Sequence, residues 1–273
     1  MKVIHGDCLK EMDQIPSKSV DMILTDLPYG ITSNKWDSEL DLKVLWSQWK
    51  RILKENGVVA LTASQPFTST LVVSNLEWFR HEWIWIKNAG SNFANTVREP
   101  MKEHESVLIF SPGNWTYNKQ MQERAESGKS RAKYTVEFTS KSENYREFEG
   151  REHHQISELR VPSSWQKFTN ERGLHPTQKP VPLFEYMIRT YTNEGETVLD
   201  CCAGSGTTAI ACVNTKRDFI MIERELQYVE IIRSRLKEIG IVLEDVNSMI
   251  PIQIEKKKYH LETKNGKVII VYE

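Results

Sequence analysis

No stretch of the chain approaches the length needed to cross a bilayer, and its opening, MKVIHGDCLK, holds no apolar run of signal-peptide length. Both absences predict a cytoplasmic protein. Cysteine is scarce. The four present (Cys8, Cys201, Cys202 and Cys212) form no C-x-x-C pair, and no histidine falls at zinc spacing from them. That argues against a disulfide scaffold or a zinc site and predicts buried, reduced thiols with no bound metal. An excess of either charge is missing too, with 36 Lys and Arg against 37 Asp and Glu. Nothing in that balance announces a nucleic-acid binder, although a basic face can exist on a chain of neutral total. Internal repeats are also lacking. What is present is an apolar content of 39% and a charged content of 27% over 273 residues, enough for one large domain or one domain with a sizeable insertion.

The patterning divides the chain into four parts. In residues 1–113, apolar runs alternate with helical spacing: KVIHGD, VDMILT, VVALTA, EWIWIK and SVLIFS read as strands. Leu42 to Leu53 and TSTLVVSNL read as helices, the first with a C-terminal stop at Glu55-Asn56-Gly57. Residues 114–174 are polar, mixed in charge and without sustained period, as in a loop-rich insertion. Order returns over 175–239, with VPLFEYMIRTY, AIACVNT and LQYVEIIRSRLKEI as helices and TVLDCC and DFIMIE as strands. In residues 240–273, Asn265-Gly266 between alternating segments predicts a hairpin. Strands alternating with helices on both sides of the insertion predict a doubly wound, mostly parallel α/β sheet.

Two turns carry chemistry. In VLDCCAGSGTTAIA a strand runs into a glycine turn and then a helix, where backbone can approach a ligand closely and helix N–H groups face it. Gly204-x-Gly206-x-x-Ala209, with Glu223 closing the next strand, fits a dinucleotide and fits S-adenosylmethionine as well. Asp200 at the turn tilts the reading toward the sulfonium cofactor, since a carboxylate suits its amino group and repels a pyrophosphate. The second turn is TDLPYG, Thr25 to Gly30, where a carboxylate, a proline and a tyrosine crowd the end of a buried strand.

TDLPYG, HPTQKP and LDCCAGSGTT, in that order around a polar insertion, resemble the amino-group DNA methyltransferases of the permuted β class. The similarity spans residues 1–239. It departs from the family pattern at Leu27, in place of a proline, and at Cys201-Cys202, in place of Pro-Phe. The resemblance implies a circularly permuted, Rossmann-like sheet of seven strands, with the catalytic half first, a target-recognition region at 114–174 and the cofactor half after it. It implies transfer of a methyl group from S-adenosylmethionine to N6 of a flipped adenine, with cytosine N4 as the alternative. It further implies double-stranded DNA as partner, a bacterial or phage setting, and a homodimer or a cognate restriction enzyme as candidate protein partners.

Residue by residue, the resemblance assigns catalysis to Asp26, Leu27, Pro28 and Tyr29. The Asp26 carboxylate and the Leu27 carbonyl would accept the two amine hydrogens, and Tyr29 would stack the base. Cofactor contacts fall to Asp7, Cys8, Asp26, His175, Thr177, Lys179, Asp200, Ala203, Gly204, Gly206, Thr207 and Glu223. Of these, Lys179 would meet the cofactor carboxylate and Glu223 the ribose hydroxyls, while Thr207 and Thr208 also suit helix capping. DNA contacts would come from Lys87, Asn92 and Arg98, and from Lys119, Arg131 and Lys133 in the insertion, where basic residues mix with aromatics. A dinucleotide oxidoreductase accounts for the glycine turn but leaves TDLPYG without a task. A DNA-binding module without catalysis accounts for the two departures.

Overall fold

A computed structural model describes residues 1–29, 40–126, 159–171, 173 and 177–243, together with the backbone of two strands at 259–264 and 267–272. The chain divides into two compact units, 1–242 and 243–273. The first is built on one sheet. Its strands are β1 (Lys2–His5), β2 (Val20–Thr25), β3 (Leu53–Ala63), β4 (Phe79–Ser91), β5 (Lys102–Phe110), β8 (Trp165–Lys167), β9 (Thr197–Asp200) and β10 (Asp218–Glu223). A separate two-stranded ladder pairs β6 (Gln122–Glu123) with β7 (Leu159–Arg160).

The sheet order is β1-β10-β9-β2-β3-β5-β4-β8. Pairing is parallel from β1 to β3 and antiparallel at β3–β5 and β5–β4. The expected mostly parallel, seven-stranded sheet is therefore present, and the insertion adds an eighth strand, since β8 pairs in parallel with β4 at the edge. All six residues of β2 are buried. A central parallel strand covered on both faces loses the in–out alternation that an exposed sheet would show.

The covering helices are amphipathic. On α2 (Leu42–Ile52), Leu45, Trp46, Trp49 and Ile52 form one buried stripe, and the Asp41 carboxylate accepts from the Lys43 and Val44 amides to begin the helix. Its last turn turns Arg51 onto the Ile15 and Met12 carbonyls, at 2.6 and 2.7 Å, which ties the segment before β2 to the helix. The predicted stop at Glu55-Asn56-Gly57 is not what ends α2. Leu53 is already extended and pairs with Val20, and the register then jumps to Met22↔Val58. The 54–57 stretch is thus an irregularity inside β3, held where Lys54 meets the buried Asp21 at 2.7 Å.

Helices α4 (Val181–Tyr191), α5 (Thr207–Asn214) and α6 (Leu226–Glu238) complete the set, after α1 (Cys8–Glu11) and α3 (Phe67–Ser74). Among the described residues, no helix is long and apolar enough to cross a membrane. In the second unit, β11 (Tyr259–Lys264) and β12 (Lys267–Tyr272) pair antiparallel, as the alternation predicts; Asn265-Gly266 between them lies outside the described residues.

Because β1, β10, β9 and β2 run parallel, their carboxyl ends meet at one edge. There Asp7 follows β1, Asp26 follows β2, and Asp200 and Glu223 end β9 and β10. Trp49, fully buried and in edge contact with Trp46 at 5.0 Å, anchors α2 in the core. We expect Trp49→Ala to cost about 3–5 kcal/mol of unfolding free energy in chemical denaturation, through the cavity it leaves.

Candidate active site

One cavity of about 590 Å3 opens at this edge. Its walls come from Asp7 and Cys8, from Asp26 to Tyr29, from Asp200 to Ser205, and from Glu223, with Thr177 to Lys179 closing one side. Tyr29 and Gly204, nearly 180 positions apart in the chain, thus share a pocket of the size that holds a cofactor-sized ligand.

The turn after β2 is organised around the Asp26 carboxylate. Its Oδ1 accepts from the Tyr29 hydroxyl at 2.9 Å and from the Thr62 hydroxyl, and its Oδ2 lies 2.5 Å from Lys179 Nζ. The Leu27 side chain is buried in the core, so only its backbone is available to the cavity. The Tyr29 ring packs against Phe67 at 5.1 Å between centroids, with Lys179 Nζ 5.8 Å from its centre. Burial, with the Asp26 and Glu105 charges nearby, pushes the Tyr29 phenol well above its ordinary value, so it remains a donor.

Behind Asp26 the charges alternate. Lys179 Nζ also lies 3.7 Å from Glu105 Oε2, and Glu105 Oε1 pairs with Lys87. Burial alone would lower the Lys179 pKa, but Asp26 and Glu105 more than offset it and hold the ammonium above the usual lysine range.

The glycine turn is held from below. Glu223 accepts from the Gly204 amide at 2.7 Å and from the Glu225 amide at 2.8 Å. Burial raises its pKa despite those amides. Gly206 takes the left-handed φ of 81°. A Cβ there would stand 2.8 Å from Ile232 Cγ1, so Gly206 lets the turn sit on α6 and is not itself part of the cavity wall. Asp200 is buried and accepts from Thr25 at 2.7 Å, from the Cys202 amide at 3.0 Å and from Thr208. Burial dominates and raises its carboxyl to about 6. The Cys201 thiol donates to Thr25 Oγ1 at 3.7 Å, and the neighbouring Cys201 and Cys202 thiols lower the pKa of Cys8. The Cys201-Cys202 departure therefore forms a thiol floor beside Asp200.

Several expected roles change on inspection. Neither Thr207 nor Thr208 caps α5: the first donates to the Lys179 carbonyl at 3.1 Å and the second to Asp200. Asp7 spends one carboxylate oxygen on the Leu9 amide at the start of α1. Lys87 lines the cavity, with its side chain 7% exposed and its ammonium paired with Glu105. Lys119 is exposed but stands away from the cavity, next to Asn118, whose amide donates to the Thr190 carbonyl at the far end of α4. Asn92 is at the rim in a left-handed turn, bonded to Glu99, and Arg98 is exposed on the same turn. His175, Arg131 and Lys133 lie outside the described residues. Glu105 and Thr62 had no motif to mark them: Glu105 sits in a strand of mixed polarity, and Thr62 reads as filler in an apolar run.

An open α/β sheet with a glycine turn and acidic residues at its carboxyl edge is the ligand-binding arrangement of a Rossmann-like fold. The DNA methylase family model matches residues 20–234, and the chain belongs to that family. It is similar to the DNA adenine methyltransferase YhdJ of Escherichia coli (strain K12), with 30% identity over 253 residues, 86% of this chain and 82% of that protein. Similarity to the type II methyltransferase M.HinfI of Haemophilus influenzae runs at 25% identity, covering 96% of this chain and 75% of that one. Among solved structures, the M1.HpyAVI-SAM complex aligns with a TM-score of 0.57 and 27% identity, over 86% of this chain and 99% of that chain.

The buried Asp200 gives a pH test. A folded-state pKa of about 6 against an ordinary 3.8 means the native state holds the extra proton between those values, so its contribution to stability falls as pH rises through 6. Asn fits the same partners with a neutral side chain. At about 1.4 kcal/mol per unit, unfolding free energies of Asp200→Asn and the wild type should diverge by about 2 kcal/mol in the variant's favour from pH 4 to pH 7. A difference that stays constant with pH would contradict this origin.

Proposed function

We propose that this DNA methyltransferase transfers the methyl group of S-adenosylmethionine to the N6 amino group of an adenine flipped out of double-stranded DNA. The observation that carries the reading is that Asp26, held by Thr62, Tyr29 and Lys179, opens on the same cavity as the Gly204 turn and Glu223. When bound, the cofactor supplies a methyl group on a sulfonium, an electrophile that needs only alignment with a nucleophile.

The cavity fits that cofactor. Both Glu223 oxygens are pinned by amides and keep a lone pair each for ribose hydroxyls. Asp200 places a carboxylate near the position of an amino group, and Gly204 leaves the turn without a side chain. Asp7, Cys8, Thr177 and Ala203 fill the remaining wall. Asp200 and Glu223 stand at this turn, where they would repel a pyrophosphate.

An exocyclic amine is a poor nucleophile because its lone pair is delocalised into the ring. Acceptors on both N–H groups, Asp26 and the Leu27 carbonyl, favour a more tetrahedral nitrogen whose lone pair can point at the methyl group. Fixed acceptors in a dry site act most strongly where positive charge develops. Holding amine and methyl in line removes the entropy of encounter. Pro28 keeps Leu27 extended so that its carbonyl stays available. Tyr29, backed by Phe67, supplies the aromatic wall for a base taken out of the stack, worth about 1–3 kcal/mol. The 30% identity with an enzyme named for adenine supports adenine over cytosine. The likeness to a type II methyltransferase supports a restriction partner with the same recognition sequence, in a bacterial or phage-encoded cytoplasmic setting. Residues 114–174 are the region to read that sequence, and Asn92 and Arg98 the rim contacts.

The test is transfer of labelled methyl from S-adenosylmethionine to duplex DNA, followed by nucleoside analysis. N6-methyladenine is the expected product, and N4-methylcytosine would overturn the choice of base. Asp26→Ala should lower the rate at least roughly 10²–10³-fold, as loss of one fixed polar partner of the transition state does. An alanine variant as active as the wild type would refute the role given to Asp26.

A further inference from the structure

Asp26 is the acceptor on which the proposed reaction rests, and three largely buried charges that also line the cavity stand in a row with it. Lys87 comes from β4, Glu105 from β5, Lys179 from the segment before α4, and Asp26 from the turn after β2. The row runs Lys87, Glu105, Lys179, Asp26, with Glu105 bridging the two lysines and Lys179 Nζ 2.5 Å from Asp26 Oδ2. Side-chain exposures of 7%, 15%, 8% and 22% along the row place most of it out of water. Two cations and two anions make it neutral, which is the condition for burying such groups, and removing one member leaves a neighbour uncompensated.

The hydrogen bonds give the row a direction. Oδ1 of Asp26 already accepts two hydroxyls, from Tyr29 and Thr62, and a carboxylate oxygen has about two lone-pair sites. Among the described residues Oδ2 accepts only from Lys179, which leaves it one lone-pair site, and Asp26 lines the cavity. Glu105 Oε2 is buried without a hydrogen-bond partner and faces the ammonium at 3.7 Å, so it holds Lys179 by charge. The Lys179 backbone is fixed as well, since Thr207 donates to its carbonyl.

We propose that Lys179, seated by Glu105 and Lys87, is a positioning residue for methyl transfer that locks the Asp26 carboxylate with the open site of Oδ2 presented to the incoming amine. This rests on the methyltransferase reading above and deepens it. It assigns one amine N–H to Oδ2, and it takes Lys179 away from the cofactor carboxylate. Glu105 and Lys87, which also line the cavity, become part of the same device.

The two roles for Lys179 separate by what its loss affects. Equilibrium binding of S-adenosylmethionine and single-turnover methyl transfer at saturating cofactor are measured on the full chain for the wild type, Lys179→Met, Lys179→Arg and Glu105→Gln. We expect Lys179→Met to slow transfer roughly 10²-fold, as misplacement of a reacting partner does, with the cofactor Kd changed by less than about 3-fold. Lys179→Arg should recover part of the rate by restoring the cation. Glu105→Gln, nearly isosteric and thus retaining the fold if Lys179→Met does not, should slow transfer about 10-fold, again with Kd unchanged. Cofactor binding weakened in Lys179→Met with an unaltered rate at saturation would overturn the proposal. So would an unaltered rate in a folded Glu105→Gln. A wild type that binds S-adenosylmethionine but transfers nothing to DNA would overturn the methyltransferase reading itself, and this one with it.

Discussion

The ion pair between Lys179 and Asp26 is the interaction on which the site depends. It joins the two halves of a domain separated in sequence by the whole insertion, and it does so at the atom proposed to meet the substrate. A lone carboxylate at this depth would be costly, and a lone ammonium equally so. Together, with Glu105 and Lys87 completing the row, they can be held with their side chains mostly out of water. The raised pKa of Lys179 follows from the same arrangement: burial works against the charge and two carboxylates outweigh it. An ammonium that stays protonated cannot serve as a proton acceptor, which leaves it the task of fixing its partner.

The fold makes that pairing possible through sheet order. Parallel strands bring four carboxylates to one edge, and the crossover that places β2 beside β9 sets Asp26 opposite the glycine turn. Each carboxylate is then differentiated by its surroundings. Asp7 and Glu223 organise backbone amides, Asp200 knits β2 to α5 through two threonines, and Asp26 alone is paired with a buried cation among the four.

Much of this was legible in the residues. The parallel strands appear as short apolar runs because both faces are covered, and the helix at Val181–Tyr191 was readable to the residue, since Pro180 and Thr192 punctuate it. The order of the two turns pointed to the shared pocket. Other features left no local trace. The end of α2 was misplaced because Asn-Gly resembles a helix stop, whereas the pairing of Leu53 with Val20 ends the helix earlier. The pairing of Lys87 with Glu105 was not visible because Glu105 is 18 positions on and on the neighbouring strand. Glu105 itself lies where a strand passes from a polar, exposed half to an apolar, buried half, with no in–out alternation. Long-range charge pairing has no period, so neither spacing nor composition announces it. The eighth strand was hidden for a similar reason: three residues of WQK carry too short a pattern to separate from loop.

The account's central claim is geometric: Asp26, held by Lys179, presents one carboxylate oxygen to an amine lying in line with the cofactor methyl. A crystal structure of the protein with a non-reactive S-adenosylmethionine analogue and a target duplex measures it directly. The account predicts the flipped-base nitrogen about 3–3.5 Å from the methyl position and within hydrogen-bond distance of Asp26 Oδ2, with Lys179 still on that oxygen. Lys179 turned onto the cofactor carboxylate, and the base amine out of reach of Asp26, would contradict it.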